Sequence, residues 1–257
     1  MINMEKNYQY NYSDLIEETV SMYDYKARIQ KAEKTISVLL DHLKDTSNMK
    51  LLDIGSSSGI MTNEYSKYFG DVIGIDIDTK AVKFANKNFK KENLKFITSP
   101  IEEFNFPNST FDVITCAHIY EHVPSDKVLM DSIFRLLKPG GVCYFAAGNR
   151  FQIIEAHYKL PFLSYFPKKI ANKYIQLFTD QKKYYENLKS YRNLKKLVNR
   201  FEINDYTLKI IRNPSNFSAS EMIKEKTIKY YFVNLFASVG YFIIPTYIWI
   251  LTKPKID

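Results

Sequence analysis

The pattern of apolar and polar residues alternates between strand-like runs and amphipathic helices, most clearly at residues 50–78. Leu51, Leu52 and Ile54 form a short apolar run typical of a strand that is covered on both faces. A turn with Gly55 and Gly59 follows, and after it come an amphipathic helix and a second apolar strand that ends in acidic residues. This segment therefore predicts one βαβ unit.

Similar patterns predict the remaining elements. The predicted helices are residues 14–20, 24–43, 79–89, 126–137 and 168–200. The predicted strands are residues 94–98, 111–116, 142–147 and 206–211. Within the basic segment 168–200, Ser190 is expected to be a helix N-cap. Residues 230–252 carry no charge, and they predict a helix ending near Gly240, followed by an antiparallel seventh strand.

The turn at residues 55–59 favours a nucleoside ligand. Glycine lets the backbone approach a ligand closely, and the helix that follows directs unpaired N–H groups and a positive dipole end toward anionic groups. Asp76 lies about 20 residues beyond Gly55, where a carboxylate can accept hydrogen bonds from both ribose hydroxyls. The turn lacks the G-x-G-x-x-G pattern of a dinucleotide site, so a dehydrogenase is not expected.

The turn and three later motifs together resemble the class I S-adenosylmethionine-dependent methyltransferases. The turn is D-x-G-x-S-x-G from Asp53 to Gly59, with Ser57 where a middle glycine is common. The later motifs are GIDID at 74–78, FDVIT at 111–115 and LKPGG at 137–141. They resemble, in that order, the segment after motif I, the fourth strand and the entry to the fifth strand. The chain is similar to the small-molecule, ubiquinone-biosynthesis-like branch.

The resemblance implies an α/β fold with a Rossmann-like, seven-stranded, mostly parallel sheet and a helical lid insertion. It implies a single methyltransferase domain, and no internal repeat or low-complexity linker divides the chain. The expected parts are an N-terminal helical arm (1–46), the cofactor-binding core (47–149), an acceptor-side helical lid (150–205) and C-terminal strands with an apolar helix (206–257).

The implied cofactor is S-adenosyl-L-methionine. By resemblance, Asp53 approaches its amino acid end, Asp76 holds the ribose and Ile101 borders the adenine. Asp78 is a weaker ribose candidate than Asp76 because it lies beyond the strand end, and Ser99 stands where an aspartate is common. The predicted cofactor-binding residues are Asp53, Gly55, Ser57, Gly59, Asp76, Ile77, Ser99, Ile101 and Cys116.

The string His118-x-x-Glu121-His122 matches an inverted zinc-protease pattern, but Pro124 follows at once and a metalloprotease needs a continuous helix. The string is also similar to the E-x-x-E-H segment of ubiquinone-biosynthesis O-methyltransferases, which can hold a divalent cation. Here His118 replaces the first glutamate, and Mg²⁺ prefers oxygen ligands. We expect Glu121 and His122 to orient the loop, His118 to line the pocket, and no metal to be bound.

In the family the segment after the fifth strand commonly supplies the acceptor pocket. This chain has Glu155 and His157 there, within an aromatic and apolar loop. They are therefore candidates for a substrate anchor and a general base, with simple packing of the histidine as the alternative. The predicted catalytic residues are His118, His122, Glu155 and His157.

Composition indicates the number of domains and the cellular compartment to expect. At 257 residues with 46% hydrophobic content, the chain suits one large α/β domain. It has two cysteines, both in predicted core strands, and its first residues lack a signal-peptide pattern, so a reducing cytoplasm is expected.

Charge is distributed unevenly along the chain. Residues 150–257 carry 19 Lys and Arg against 8 Asp and Glu, whereas residues 1–149 carry 17 against 20. This basic half favours an anionic partner, or it is a solvated lysine-rich surface. No nucleic-acid-binding module accompanies it, so the expected partners are a small-molecule or lipid-linked acceptor and, through residues 230–252, a peripheral membrane surface.

Two functions follow from these patterns. The first is methyl transfer, with O-methylation expected, because the turn, the ribose carboxylate and LKPGG are all present. The second is a non-catalytic membrane-surface or partner-binding protein that retains the fold, favoured by Ser99 and by the long apolar segment. The sequence leaves the identity of the acceptor and the oligomeric state open.

Overall fold

A seven-stranded sheet forms the centre of the computed structural model, which describes residues 22–221 and 224–255. The strands are β1 Lys50–Ile54, β2 Asp71–Asp76, β3 Leu94–Thr98, β4 Phe111–Ala117, β5 Leu137–Gly148, β6 Glu202–Asp205 and β7 Thr246–Thr252. Their order in the sheet is β3-β2-β1-β4-β5-β7-β6. Only β7 runs antiparallel to its neighbours among these strands, so the predicted α/β fold with a mostly parallel seven-stranded sheet is confirmed.

Eight α-helices lie in the part of the chain that the structure describes. They are α1 Tyr25–Leu43, α2 Ile60–Tyr65, α3 Thr79–Asn88, α4 Asp126–Leu136, α5 Lys168–Phe178, α6 Tyr191–Leu197, α7 Thr207–Arg212 and α8 Ile228–Val239. Four of them begin where the side chain of the N-cap residue accepts a backbone N–H of the first turn. These residues are Asp24, Asp78, Ser125 and Thr227. The helix expected at 14–20 lies outside the described residues.

The sheet is buried on both faces because helices cover both sides of it. Leu51 packs into one core cluster with α1, while its neighbour Leu52 packs into the other with Trp249 of β7. Cys116 and Cys143 are free thiols buried in β4 and β5. Successive residues of a strand pack into one or the other of these two apolar clusters. This explains why the strands appear as nearly continuous apolar runs in the sequence.

Two predicted strands were wrong. The fifth strand begins at Leu137 rather than at residue 142, and a register shift between Phe111 and Val113 accommodates the longer strand. Residues 206–211, predicted as a strand, instead begin α7, since the Asp205 carboxylate accepts the Thr207 N–H at 2.9 Å. The sixth strand is the short, mostly exposed Glu202–Asp205.

The segment 168–200 was predicted to be helical throughout, but only α5 and α6 are helical. Ser190 is the N-cap residue of α6, although its side chain makes no capping hydrogen bond. The intervening residues are tied to the end of β4: the Asn187 N–H donates to the Glu121 carbonyl, and the Lys189 N–H donates to the Tyr120 hydroxyl, both at 2.9 Å. We call this docked stretch, residues 179–190, the docking segment.

The apolar C-terminal run forms α8, whose C-cap is Gly240, and then antiparallel β7, as the sequence predicts. Within residues 22–221 and 224–255, no helix combines the length and the apolar character that crossing a bilayer requires.

Candidate active site

The turn between β1 and α2 lies at the carboxyl end of the sheet, at the switch point where ligands of open α/β sheets bind. Gly55, Ser57 and Gly59 have φ values of 78°, 52° and 77°. Glycine adopts this region freely, whereas other residues are strained there. A Cβ at Gly59 would also lie 2.6 Å from the Cβ of Ala85 in α3. Gly59 is therefore required both by the backbone conformation and by the close approach of α3.

Asp76, at the end of β2, faces this turn. Its two carboxylate oxygens accept the N–H groups of Ser57 at 2.7 Å and Asp78 at 2.8 Å. Burial raises the pKa of Asp76, and the backbone donors oppose that rise. Since each carboxylate oxygen has two lone pairs, Asp76 keeps acceptor capacity for ribose hydroxyls.

Asp78 has a different task from Asp76. Its side chain is buried and accepts the backbone N–H groups of Lys80 and Ala81 at the start of α3. An aspartate in this position stabilises the helix as an N-cap. The geometry therefore agrees with ranking Asp76 ahead of Asp78 as the ribose ligand, which stays a prediction.

Asp53 lies in β1, directly before the turn, and is buried. Its carboxylate accepts the hydroxyls of Thr62 in α2 and Thr115 in β4, both at 2.6 Å. Burial raises the pKa of Asp53 to about 6, even though the two threonines favour the charged form. Asp53 thus joins β1, α2 and β4, and its predicted contact with the cofactor's amino acid end stays a prediction.

The other predicted cofactor residues differ in their burial and in the contacts that they make beside the crevice. The Ser99 N–H donates to the Asp76 carbonyl at 3.0 Å, which holds the end of β3 beside Asp76. Ile101 is 5% exposed and packs in the core, as does fully buried Cys116. The Cys116 side chain therefore faces the core, and any contact of this residue with a ligand involves its backbone. Ile77 follows Asp76 and is half-buried.

Two serines in the turn have buried hydroxyls with no hydrogen-bond partner. They are the Oγ atoms of Ser56 and Ser57. A buried polar atom without a partner costs roughly 1–3 kcal/mol, so its persistence points to a polar partner from outside the chain. The Ser56 hydroxyl lies against Gly74 of β2, whereas Ser57 donates its N–H to Asp76, so the Ser57 hydroxyl and the Asp76 carboxylate fit the polar edge of a nucleoside cofactor.

The loop after β4 lies directly over the turn. A Cβ at Gly55 would overlap the Cδ1 atom of Ile119, so this loop packs tightly against the glycine. On the same loop, His118 has a φ of 59° and its Nδ1 lies 3.2 Å from the Oε1 of Glu121. Burial favours a raised pKa for Glu121, but the hydrogen bond and charge of His118 outweigh it, and the pKa is lowered. The loop is not helical, which agrees with rejecting the protease pattern.

The predicted catalytic residues Glu155 and His157 form a buried pair. Glu155 accepts the backbone N–H groups of His157 and Tyr158 at 2.8 and 2.9 Å, and its other oxygen lies 2.9 Å from the His157 Nδ1. Although burial lowers the pKa of His157, Glu155 raises it to about 8. The His157 and His122 rings pack edge to face, with 5.0 Å between their centroids. The structure therefore brings the loop after β4 and the segment after β5 together.

At His122 burial outweighs the nearby carboxylates and lowers the pKa to about 4. Glu186, on the docking segment, joins this pair of histidines, and its side chain is 1% exposed. The sequence analysis missed Glu186 because it expected a basic helix there and no local motif marks this residue. Of the predicted catalytic residues, His118 is the most exposed, with its side chain 49% accessible.

The sheet order and the crevice define the class of protein: a Rossmann-like α/β protein with a nucleoside site at the β1 and β4 switch point. Residues 52–145 match the family model described as "Methyltransferase domain". This match covers the turn, Asp76 and β4, and it agrees with the resemblance of these motifs to the class I S-adenosylmethionine-dependent methyltransferases.

Two curated relatives are similar to part of the chain. The ubiquinone biosynthesis O-methyltransferase of Psychrobacter arcticus is 33% identical over 150 residues, covering 52% of this chain and 58% of that protein. The enzyme of the same name from Actinobacillus pleuropneumoniae serotype 7 is 34% identical over 142 residues, covering 48% and 60%. The chain thus spans less than two thirds of the length of these relatives.

Solved structures share the fold over most of the chain. The plantazolicin methyltransferase BpumL, in complex with a monoazolic desmethylPZN analog and SAH, aligns with 98% of this chain and 94% of its own at a TM-score of 0.60 and 20% identity. Haemonchus contortus phosphoethanolamine N-methyltransferase 2, in complex with S-adenosyl-L-methionine, aligns with 86% of this chain and 52% of its own, at a TM-score of 0.56 and 18% identity.

Proposed function

We propose that the protein transfers a methyl group from S-adenosylmethionine to a hydroxyl group of a small-molecule or lipid-linked acceptor. One observation carries this proposal. The loop packed on Gly55 continues from the nucleoside crevice directly into the cluster around His122 and His157. A nucleoside site and a group of titratable side chains therefore share one loop, as a transfer reaction requires.

The relatives support the choice of acceptor atom. Two curated proteins similar to about half of the chain are named as O-methyltransferases of ubiquinone biosynthesis. The region after β5 falls outside the matching family model, which ends at residue 145. We therefore carry over the reaction type, O-methylation, and leave the acceptor defined by chemistry alone: a hydroxyl on an aromatic or lipid-like molecule.

The cofactor's sulfonium supplies an already activated methyl group. The chain's own residues then bind the cofactor, orient the acceptor and exclude water. Asp76 holds the ribose, and the Ser57 hydroxyl contacts a polar atom of the cofactor. Asp53 fixes the turn through Thr62 and Thr115. Alignment of the acceptor with the methyl group lowers the barrier by reducing the entropy lost at the transition state.

We place the acceptor hydroxyl beside the cluster of His122, His157 and Glu186. Glu155 binds the Nδ1 atom of His157 at 2.9 Å, so the Nε2 atom is the ring nitrogen left for other contacts. Glu155 is held by two backbone N–H groups, so it keeps the imidazole in one orientation.

The proposal is tested by incubating the protein with S-adenosylmethionine labelled in the methyl group and a panel of phenols and catechols. We expect label in an ether product, and Glu155→Gln should slow transfer at least tenfold because the His157 ring loses the carboxylate that orients it. Acceptors whose hydroxyls are already methylated are the control. Cofactor binding without transfer to any hydroxyl acceptor would contradict the proposal and favour the non-catalytic alternative.

We further propose that α8 contacts an anionic membrane surface. Apolar side chains at helical spacing face solvent along this helix, with Ile228 90%, Leu235 68% and Val239 79% exposed. Such a stripe lies well in the interface of a bilayer, and the excess of Lys and Arg in residues 150–257 complements anionic headgroups. Because Cys116 and Cys143 are free thiols, we assign this contact to the cytoplasmic side.

Membrane contact is tested by sedimentation with vesicles of mixed neutral and anionic lipid. Leu235→Glu should weaken binding at least about tenfold, since it removes roughly 1.5–3 kcal/mol of apolar burial and adds a charge. Leu177→Glu, at an exposed leucine of α5, is the matched control and should bind normally. Binding that Leu177→Glu weakens as much as Leu235→Glu, or no binding of the unmodified protein, would contradict the assignment to α8.

A further inference from the structure

Three side chains from separate parts of the chain meet where we place the acceptor. His122 comes from the loop after β4, His157 from the segment after β5, and Glu186 from the docking segment. One ligand atom of each lies within 4.8 Å of the other two. Ligand atoms bound to one ion at about 2.0–2.2 Å lie roughly 3–3.5 Å apart, so closure on an ion requires a side-chain shift of about an ångström.

Glu186 is the strongest indication of a cation. Its side chain is 1% exposed, and neither carboxylate oxygen has a hydrogen-bond partner. The neighbouring Lys168 ammonium does not supply one, because it donates to the backbone carbonyls of Tyr184 at 3.0 Å and of Glu186 at 2.5 Å. A buried carboxylate without donors is costly unless a positive ion neutralises it.

The surroundings of His157 are those of a metal ligand. Its Nδ1 is engaged by Glu155 at 2.9 Å, which leaves Nε2 as the coordinating nitrogen. Glu155 is itself fixed by the N–H groups of His157 and Tyr158. This carboxylate–histidine arrangement commonly orients metal-binding imidazoles and strengthens them as ligands.

The cluster differs from the one that the His118-x-x-Glu121-His122 string suggests. Glu121 is directed to His118 and lies outside the cluster, as does His118 itself. Two of the three candidate ligands, His157 and Glu186, belong to segments after β5 that no motif of the loop includes. No metal was predicted from the sequence because His118 replaces the first glutamate of the loop motif, and no ligand from outside the loop was included.

We propose that His122, His157 and Glu186 bind one divalent transition-metal ion at the acceptor end of the pocket. Two imidazoles and one carboxylate, with remaining positions open, suit Zn²⁺, Fe²⁺, Co²⁺ or Mn²⁺ rather than Ca²⁺ or Mg²⁺. The role of the ion rests on the proposed function: it would bind the acceptor hydroxyl, favour its ionised form and hold it in line with the methyl group. Its existence does not depend on methyl transfer.

The test uses Co²⁺, whose visible absorption reports the number and type of its ligands. Chelator-treated full-length protein, without cofactor or acceptor, is titrated with Co²⁺ and then with Zn²⁺ as a competitor. We expect one site per chain, d–d bands typical of nitrogen and oxygen ligands, and displacement of Co²⁺ by Zn²⁺. Thermal unfolding should shift upward in the presence of either ion.

Two glutamine variants of equally buried glutamates locate the ion. Glu186→Gln should weaken Co²⁺ binding at least about 100-fold and abolish the thermal shift, because changes behind the ligands alone cost 10- to 100-fold. Glu121→Gln, at a residue that is also 1% exposed, is the matched control and should leave both unchanged.

The proposal is overturned if the unmodified protein binds no Co²⁺, or if Glu186→Gln binds it as tightly as the unmodified protein does. It is equally overturned if Glu121→Gln abolishes binding while Glu186→Gln does not, since the ion would then belong to the loop motif. Titration with S-adenosylhomocysteine distinguishes the two proposals. Cofactor binding without Co²⁺ binding contradicts only the metal site, and the reverse result contradicts only the methyltransferase function.

Discussion

Replacing Gly59 with alanine is expected to destabilise the protein by about 2–5 kcal/mol and to disrupt the cofactor crevice. The φ value of 77° costs a residue with a Cβ roughly 1–2 kcal/mol. The new Cβ would also lie 2.6 Å from the Ala85 Cβ and 2.8 Å from the nearest atoms of the Phe96 ring, and such overpacking costs about 1–3 kcal/mol. Urea unfolding measures the total loss of unfolding free energy from these two contributions.

Gly140→Ala separates these two contributions. Gly140 has nearly the same φ, 76°, but a Cβ there meets only the flexible end of Lys255, at 3.0 Å. We expect this control to lose only the backbone contribution and to keep its cofactor affinity. Equal losses of unfolding free energy in Gly59→Ala and Gly140→Ala would show that close packing of α3 on the turn is unimportant.

Asp76→Asn is expected to weaken binding of S-adenosylhomocysteine by roughly 10- to 150-fold. The carboxylate has acceptor capacity beyond the N–H groups of Ser57 and Asp78, and the amide loses both the charge and part of that capacity. A hydrogen bond to a charged group contributes about 1.5–3 kcal/mol. Isothermal titration calorimetry measures the change directly.

The neighbouring carboxylate provides the matched control for Asp76. Asp78→Asn keeps a good N-cap for α3, since asparagine and aspartate cap helices about equally well. Its affinity for S-adenosylhomocysteine should stay within about twofold of the original. If Asp78→Asn loses the affinity and Asp76→Asn retains it, the ribose has been assigned to the wrong carboxylate.

The central sheet could be predicted from sequence because its strands are buried on both faces. Leu51, Leu52 and Ile54 form an apolar run that no surface element would carry, and Gly55 marks where the run ends. The edge of the sheet gave no such signal. β6 has the sequence EIND and is largely exposed, while the apolar residues of 206–211 belong to a short helix that buries Thr207 and Ile210. A run of six residues is too short for its periodicity to separate strand from helix.

The cofactor half of the candidate site could be predicted from the sequence, whereas the acceptor half could not. The residues of the turn and Asp76 lie within one βαβ unit, so their spacing in sequence already implies proximity in space. The acceptor end joins His122, His157 and Glu186, which are distant in sequence. Their meeting depends on the docking segment, whose backbone binds the Glu121 carbonyl and the Tyr120 hydroxyl. Such long-range pairing leaves no local pattern.

The most direct test of the central claim is calorimetric titration of the unmodified protein with S-adenosylhomocysteine, with NADH as the control ligand. A nucleoside crevice with one ribose carboxylate and no pyrophosphate-binding glycine pattern predicts micromolar binding of S-adenosylhomocysteine and no binding of NADH. Binding of NADH, or of neither ligand, would contradict the assignment of the crevice to S-adenosylmethionine.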